Sequence, residues 1–250
     1  MLNHNERKQL AQDLSSRIVA KYPGQIILAG LYGSTATSSD TPWSDLEMWF
    51  FVEDGCLAKS QHLIFRDTAV GYWVYQLREI EELVLQPSIK WPFHMGVLEA
   101  LEVLYGDSNL PHKLIEAGKT IPAERFRVAL ESAMPGLVVE SYGRIRSCQL
   151  RNNWWDVSVM VFEVLSEMLV TLCLLNQRWV RHDYYQGFVD SFEFSKLPHG
   201  YIDILPELYK ANDIGTIVPL AEKLFVNYWI LLEENGIKVN NFQFVEQIPL

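Results

Sequence analysis

The sequence predicts an α+β protein: an N-terminal mixed sheet with flanking helices over residues 1–121, then a C-terminal helical bundle over residues 122–250. Three observations carry this reading. Short apolar runs rich in β-branched and aromatic residues, bounded by glycine and polar loops, are confined to the first half. After Ile121-Pro122 the apolar residues recur at helical spacing over long windows, and the β-branched clusters thin out. The chain has 250 residues, of which 49% are hydrophobic, enough to bury a substantial core in one or two domains.

Taken in order, Glu6 to Tyr22 places Leu10, Leu14, Ile18 and Val19 at helical recurrence, and Pro23-Gly24 ends the helix. Gln25 to Leu31 (QIILAGL) is short and apolar on both faces, the pattern of a buried strand. Asp45 to Val52 (DLEMWFFV) predicts a second strand after a loop of Ser, Thr, Asp and Pro. His62 to Asp67 and Gly71 to Leu77 predict two more, with a helix over Glu79 to Leu85. In the second half, helices are expected around Ala123 to Asn152, with Pro135 kinking or restarting the first, and then over Trp154 to Gln177, Ile202 to Lys210 and Thr216 to Glu234.

Charge and cysteine content narrow the function classes. Lys plus Arg total 21 against 31 Asp plus Glu, a net charge of −10. Such a chain is poorly suited to following a phosphate backbone, so no nucleic-acid partner is expected; a cationic small substrate suits the balance, as does colloidal solubility alone. Cys56, Cys148 and Cys173 are odd in number and form no CxxC pair, which argues against a disulfide framework or a zinc knuckle and for a reducing cytoplasm. The polar opening MLNHNERKQLAQDLSSR lacks the apolar centre of a signal peptide. The apolar run Val157 to Leu175 contains Glu163 and Glu167 and reads as a buried amphipathic helix, so no membrane partner is expected.

The chemistry concentrates between Gly33 and Glu47. Asp45 and Glu47 open a strand two residues apart, so alternation puts both carboxylates on one face, ~6.6 Å apart along the backbone. Two such carboxylates can share a hard cation such as magnesium, which takes oxygen ligands and completes its shell with substrate phosphates. Gly33 permits a tight turn and close backbone approach to a polyphosphate, and Ser34 offers a hydroxyl and an N–H to its oxygens. Leu46 points the other way, into the core. A Gly-Ser pair alone is a turn, and an Asp-x-Glu alone is a solvent-facing strand end; together, between two strands, they are far more specific.

These residues resemble the active-site signature of the nucleotidyltransferase superfamily, a glycine-serine followed after a spacer by two acids one residue apart. Within it, Tyr32-Gly33-Ser34, Pro42-Trp43-Ser44-Asp45 and Glu47-Met48 resemble the corresponding stretch of the aminoglycoside 4′-O-nucleotidyltransferases. The resemblance continues through Trp91-Pro92, through Leu197-Pro198-His199-Gly200-Tyr201 and into the tail, Asn235-Gly236-Ile237 to Ile248-Pro249-Leu250. It implies a nucleotidyltransferase sheet domain followed by a helical domain. It also implies Mg2+ on Asp45 and Glu47, ATP or another NTP as co-substrate contacted by Gly33, Ser34, Ser44 and Arg144, and an aminoglycoside acceptor of the kanamycin or tobramycin type. The implied assembly is a homodimer with shared active sites.

The same resemblance assigns Glu140 as general base and Arg144 as the phosphate-contacting cation, four residues apart on one helix face. Without it, the pair reads as an ordinary surface ion pair worth ~0.3–0.5 kcal/mol. Arginine stands where that family carries lysine, and a planar fork grips phosphate differently from a point charge. Thr37 stands where the family has an arginine. A third acid, which many nucleotidyltransferases carry on a later strand, is missing from Tyr72 to Leu77, where Tyr75 or Gln76 is expected at its place. The histidines His4, His62, His94, His112, His182 and His199 fall at no metal-ligand spacing. Glu163 and Glu167 read either as lining a pocket for substrate amines or as pairing with bases or facing solvent, and Trp154, Trp155, Tyr184 and Tyr185 read either as sugar-stacking or as core.

Overall fold

The computed structural model describes residues 2–181 and 184–248, without the side chains of residues 154 and 184–186. The chain divides into two compact units. The first comprises Met1–Gln86, Phe93–Ile121 and Arg181–Asp183, the second Pro87–Pro92, Pro122–Val180 and Tyr184–Leu250.

In the first unit a five-stranded mixed sheet has the order β3-β4-β2-β1-β5. Its strands are β1 (Ile26–Tyr32), β2 (Leu46–Val52), β3 (Gln61–Phe65), β4 (Thr68–Gln76) and β5 (Glu102–Gly106). β1 is antiparallel to both β2 and β5, β3 is antiparallel to β4, and β2 runs parallel to β4. The central strands β1 and β2 are buried on both faces, which is why they read as continuous apolar runs rather than as alternation. β3 is exposed along its whole length, as an edge strand.

One face of the sheet, with Leu46, Met48, Phe50, Ala29, Leu31 and Val70, packs under α1 (His4–Lys21). α1 starts with a reciprocal cap, Asn3 accepting from the Glu6 N–H and Glu6 from the Asn3 N–H. Leu10, Leu14, Ile18 and Val19 do face this core, but only partly buried; the deepest line of α1 is Arg7, Ala11 and Ser15. Small residues there let the helix lie close to the sheet.

Several expected boundaries shift. The second strand begins at Leu46, leaving Asp45 just before it, and the third ends at Phe65 because Arg66 and Asp67 turn at positive φ. The fourth begins at Thr68, three residues early, and the helix expected at Glu79 begins at Leu77, as α3 (Leu77–Leu85). Residues read as loop after Gly33 form a single helical turn, α2 (Gly33–Ala36). Further elements that were not expected include α4 (Trp91–Glu99), β5, α5 (Leu110–Lys119) and, in the second unit, the helix Tyr184–Ser191.

The second unit is helical among its described residues. Over Ala123 to Asn152, where helices kinked or restarted at Pro135 are expected, there are two, α6 (Ala123–Ala133) and α7 (Val139–Leu150), with the restart just past Pro135. α8 (Trp154–Asn176) packs on α6, α7 and α9 (Tyr184–Ser191), and α11 (Ile214–Glu234) packs on α7, α8 and α10 (Tyr201–Lys210). α8 and α11 are each long and apolar enough to cross a membrane by length and composition. Both instead contribute to this unit's core, through Leu165, Met168 and Leu172 and through Leu224, Tyr228 and Leu231. The Tyr228 hydroxyl donates to Thr171 Oγ1 at 2.6 Å, so the polar groups inside that core are paired.

Candidate active site

Gly33, Ser34, Ser44, Asp45 and Glu47 all lie in the first unit, around the ends of β1 and β2. Tyr32 ends β1 directly opposite Glu47 on β2. Gly33 then turns the chain at φ 71°, a left-handed conformation that glycine adopts freely. A Cβ on Gly33 would stand 2.5 Å from Glu47 Oε2, so the glycine also makes room for that carboxylate. The N–H groups of Gly33 and Ser34 fall in the first turn of α2, where a helix offers them no internal acceptor. Gly33→Ala combines a left-handed alanine with this clash. It is expected to cost about 1–2 kcal/mol of unfolding free energy, measured by urea titration.

Glu47 is partly buried while Asp45 is exposed. Burial first, and then the negative charge of Asp45, push the Glu47 carboxyl up to about 7, against a hydrogen bond from Tyr32 that favours its charged form. Tyr32 in turn is raised by its burial and by Glu47. Two carboxylates that repel one another in a half-dry setting form an all-oxygen donor set suited to a divalent cation. Among the described residues no cluster of three or more potential metal ligands exists, so substrate oxygens would have to complete such a shell.

The neighbouring strand shows where Tyr75 and Gln76 stand relative to the acids. β4 runs parallel to β2 in a register that sets Gly71 beside Glu47, while Tyr75 stands beside Phe51 and Gln76 beside Val52. The position on β4 beside Glu47 therefore carries no side chain. A Cβ there would lie 2.9 Å from the Trp73 ring and 3.1 Å from His62, which fill the space from either side. Trp73, Tyr32 and Trp49 form a connected aromatic wall on the Glu47 face, with His62 edge-on to Trp73 at 4.8 Å between ring centroids.

Ser44 closes a tight turn, its Oγ accepting from the Thr41 N–H at 2.9 Å, and that turn holds Trp43 outward, 79% exposed. Thr37 secures α2 instead of offering charge, its hydroxyl lying 3.2 Å from the carbonyls of Gly33 and Ser34.

The most consequential residue near the site was not singled out from the sequence. Arg7 is 1% exposed, and each of its five N–H bonds has an acceptor: Asp40 Oδ2 twice, and the carbonyls of Leu2, Thr41 and Ser44. Asp40 also meets His4 Nδ1 at 2.7 Å. Burial alone would raise the Asp40 carboxyl; hydrogen bonds from Arg7 and His4, with their charges, outweigh it and hold the group below its ordinary range. The signal lay in Asp40 within a spacer of small polar residues, but its partner sits 33 positions away.

Glu140 and Arg144 lie together on α7 in the second unit. Arg144 donates to Glu140 Oε1 at 2.7 Å and to Glu163 Oε1 at 2.5 Å, bridging two carboxylates. Glu167 accepts the N–H of Val138, which begins α7 at φ 29°, a strained conformation for a β-branched residue. Glu163 is thus paired with a base and Glu167 with a helix start. The side chains of Trp154, Tyr184 and Tyr185, and all of His182, lie outside the described residues, while Trp155 is largely exposed.

No protein-family model matches the chain. Over 246 residues, 95% of this chain and 91% of theirs, it is 23% identical to two curated proteins named aminoglycoside nucleotidyltransferase (4′), one from Bacillus sp and one from Staphylococcus aureus. Among solved structures it is similar to a nucleotidyltransferase-like protein from Exiguobacterium sibiricum. The TM-score is 0.50 at 11% identity, covering 89% of this chain and 74% of that one. The fold is thus nucleotidyltransferase-like, and along nearly its whole length the chain is a distant relative of aminoglycoside nucleotidyltransferases.

Proposed function

We propose that the protein is an aminoglycoside O-nucleotidyltransferase. It moves a nucleoside monophosphate from a magnesium NTP, with ATP the first candidate, to a sugar hydroxyl at the 4′ position, and so inactivates the antibiotic. The observation that carries this reading is the Asp45–Glu47 carboxylate pair, with Glu47 packed against Gly33, in a chain similar over 95% of its length to proteins bearing that activity in their names. Asp45 and Glu47 would hold a magnesium ion, which when bound offsets phosphate charge and polarises the phosphoryl group.

The chain's own groups supply the rest. The Gly33 and Ser34 N–H groups and the Ser34 and Ser44 hydroxyls donate to phosphate oxygens and orient the nucleotide. Glu140 takes the proton from the acceptor hydroxyl as its oxygen bonds to the α-phosphorus and the bond to the pyrophosphate oxygen breaks. Arg144 offsets the charge that the leaving group gathers. In this reading the protein is soluble and cytoplasmic and works as a homodimer in which both subunits contribute to each site. The net charge of −10 favours polycationic acceptors over nucleic acid.

The test is release of pyrophosphate from ATP in the presence of kanamycin or tobramycin, with and without magnesium. The wild type is expected to release it only with both present, and Asp45→Asn to lose the release. Equal rates for the two proteins, or modification of protein instead of the antibiotic, would sink the assignment.

A further inference from the structure

Arg7 is buried in the first turn of α1, yet its contacts are not with the sheet core beside it. Three of its five N–H bonds go to the segment 40–41, two to Asp40 Oδ2 and one to the Thr41 carbonyl at 2.8 Å. A fourth reaches the Ser44 carbonyl at 3.3 Å, and the fifth the Leu2 carbonyl at 2.6 Å. Leu2 is itself fastened, its N–H donating to the buried Thr68 hydroxyl at the start of β4. The peptide bond that follows Ser44 leads into Asp45. The spacer between Ser34 and Asp45 is otherwise made of small residues and one Pro-Trp pair, anchored at its start by Thr35 and Ala36 and shaped beyond them by local turn bonds and by His4 on Asp40.

We propose that Arg7, locked on Asp40, is a positioning residue for the two-carboxylate site: it fixes the path of residues 40–44 and so sets where Asp45 stands relative to Glu47. The proposal rests on the nucleotidyl-transfer reading. The physical ground is that Asp45 precedes β2 and its side chain is exposed, so its carboxylate is placed by the path of its backbone, which meets Thr35 Oγ1 only at 3.5 Å, rather than by packing of its own. Glu47 is held by its strand and by Tyr32. The pairing of the two acids thus depends on how the spacer delivers the first of them. A planar guanidinium with five donors can serve two carbonyls and a carboxylate of the spacer together, whereas an ammonium has three donors and no fixed plane.

Arg7→Lys keeps the charge beside Asp40 but has donors for only part of this set. In full-length protein shown by circular dichroism to be folded at the assay temperature, it is expected to bind manganese(II), added alone and followed by electron paramagnetic resonance, about tenfold more weakly. Its kcat for pyrophosphate release should fall about tenfold to a hundredfold, the scale of a misplacement near 1 Å, with KM for the aminoglycoside within about twofold. Raising magnesium should recover part of the rate. A Lys variant with a lower melting temperature but unchanged manganese affinity and kcat would overturn the proposal, leaving Arg7 a purely structural residue. Should Arg7→Lys fail to fold, Asp40→Asn is measured instead, against the same expectations and the same overturning result. A wild type that binds manganese but transfers nothing would defeat the transfer reading while the comparison of manganese affinities still decides the role of Arg7.

Discussion

Glu47→Gln is expected to abolish nucleotidyl transfer and, in chelator, to make the protein more stable at pH 8. On the proposed reading Glu47 holds a metal, and loss of that carboxylate removes several kcal/mol of charge stabilisation, so kcat should fall at least about 10³-fold. The stability effect has the opposite sign because Glu47 is stressed in the apoprotein. Burial and Asp45 push its carboxyl up from 4.5 to about 7. The folded state therefore binds the proton more tightly than the unfolded state, and stability falls as pH rises from about 4.5 to about 7, then levels off. Above that window the ionised group costs roughly 2–3 kcal/mol, which glutamine does not incur. Thermal melts in chelator should place the variant several degrees above wild type at pH 8 and level with it near pH 4. Magnesium with ATP should close the gap by stabilising wild type alone. Equal midpoints at pH 8 would show that Glu47 carries no such stress.

Glu140→Gln carries the second large effect. The amide keeps a carbonyl oxygen for the Arg144 guanidinium, so the helix face is preserved while the proton acceptor is lost. An i,i+4 pair on an exposed face contributes only ~0.3–0.5 kcal/mol, and melting should barely change. Turnover should fall about 10²–10⁴-fold, the usual share of a general base, with KM for ATP nearly constant. Steady-state rates within about threefold of wild type would return Glu140 to the role of a surface ion-pair partner. That measurement matters because the structure gives Arg144 two carboxylates, Glu140 and Glu163, and a surface network alone would use them equally well.

The sheet was legible where burial on both faces left continuous apolar runs, as in β1 and β2, and the acids were legible because strand alternation gives an i,i+2 pair a meaning. β5 was not, because it is a five-residue edge strand, partly exposed and opening on a glutamate, and only its pairing to β1 makes it a strand. α4 and α5 hid behind prolines, which sequence patterns read as breaks but which sit here in the opening turns of both helices. Gly71 beside Glu47 was not foreseen for a different reason: β4 starts three residues earlier than its apolar pattern suggests, and register with β2 shows only once the strands are paired. Arg7 was illegible because an arginine in a helix's first turn reads as solvated, and only tertiary structure supplies the acceptors that make it buried.

The fastening of Leu2, Arg7 and Thr68 also bears on the order in which the chain is made. α1 leaves the ribosome early, and its Arg7 stays hydrated until Asp40 and Ser44 have followed it. The Leu2 amide waits longer still, for an acceptor 66 residues downstream. A nascent chain can thus carry a formed first helix and the whole glycine-to-glutamate motif before β4 exists to anchor them. The loop that bears Asp45 takes its final shape only as the sheet closes, which ties the arrival of a competent site to the completion of the first unit rather than to the synthesis of its motif.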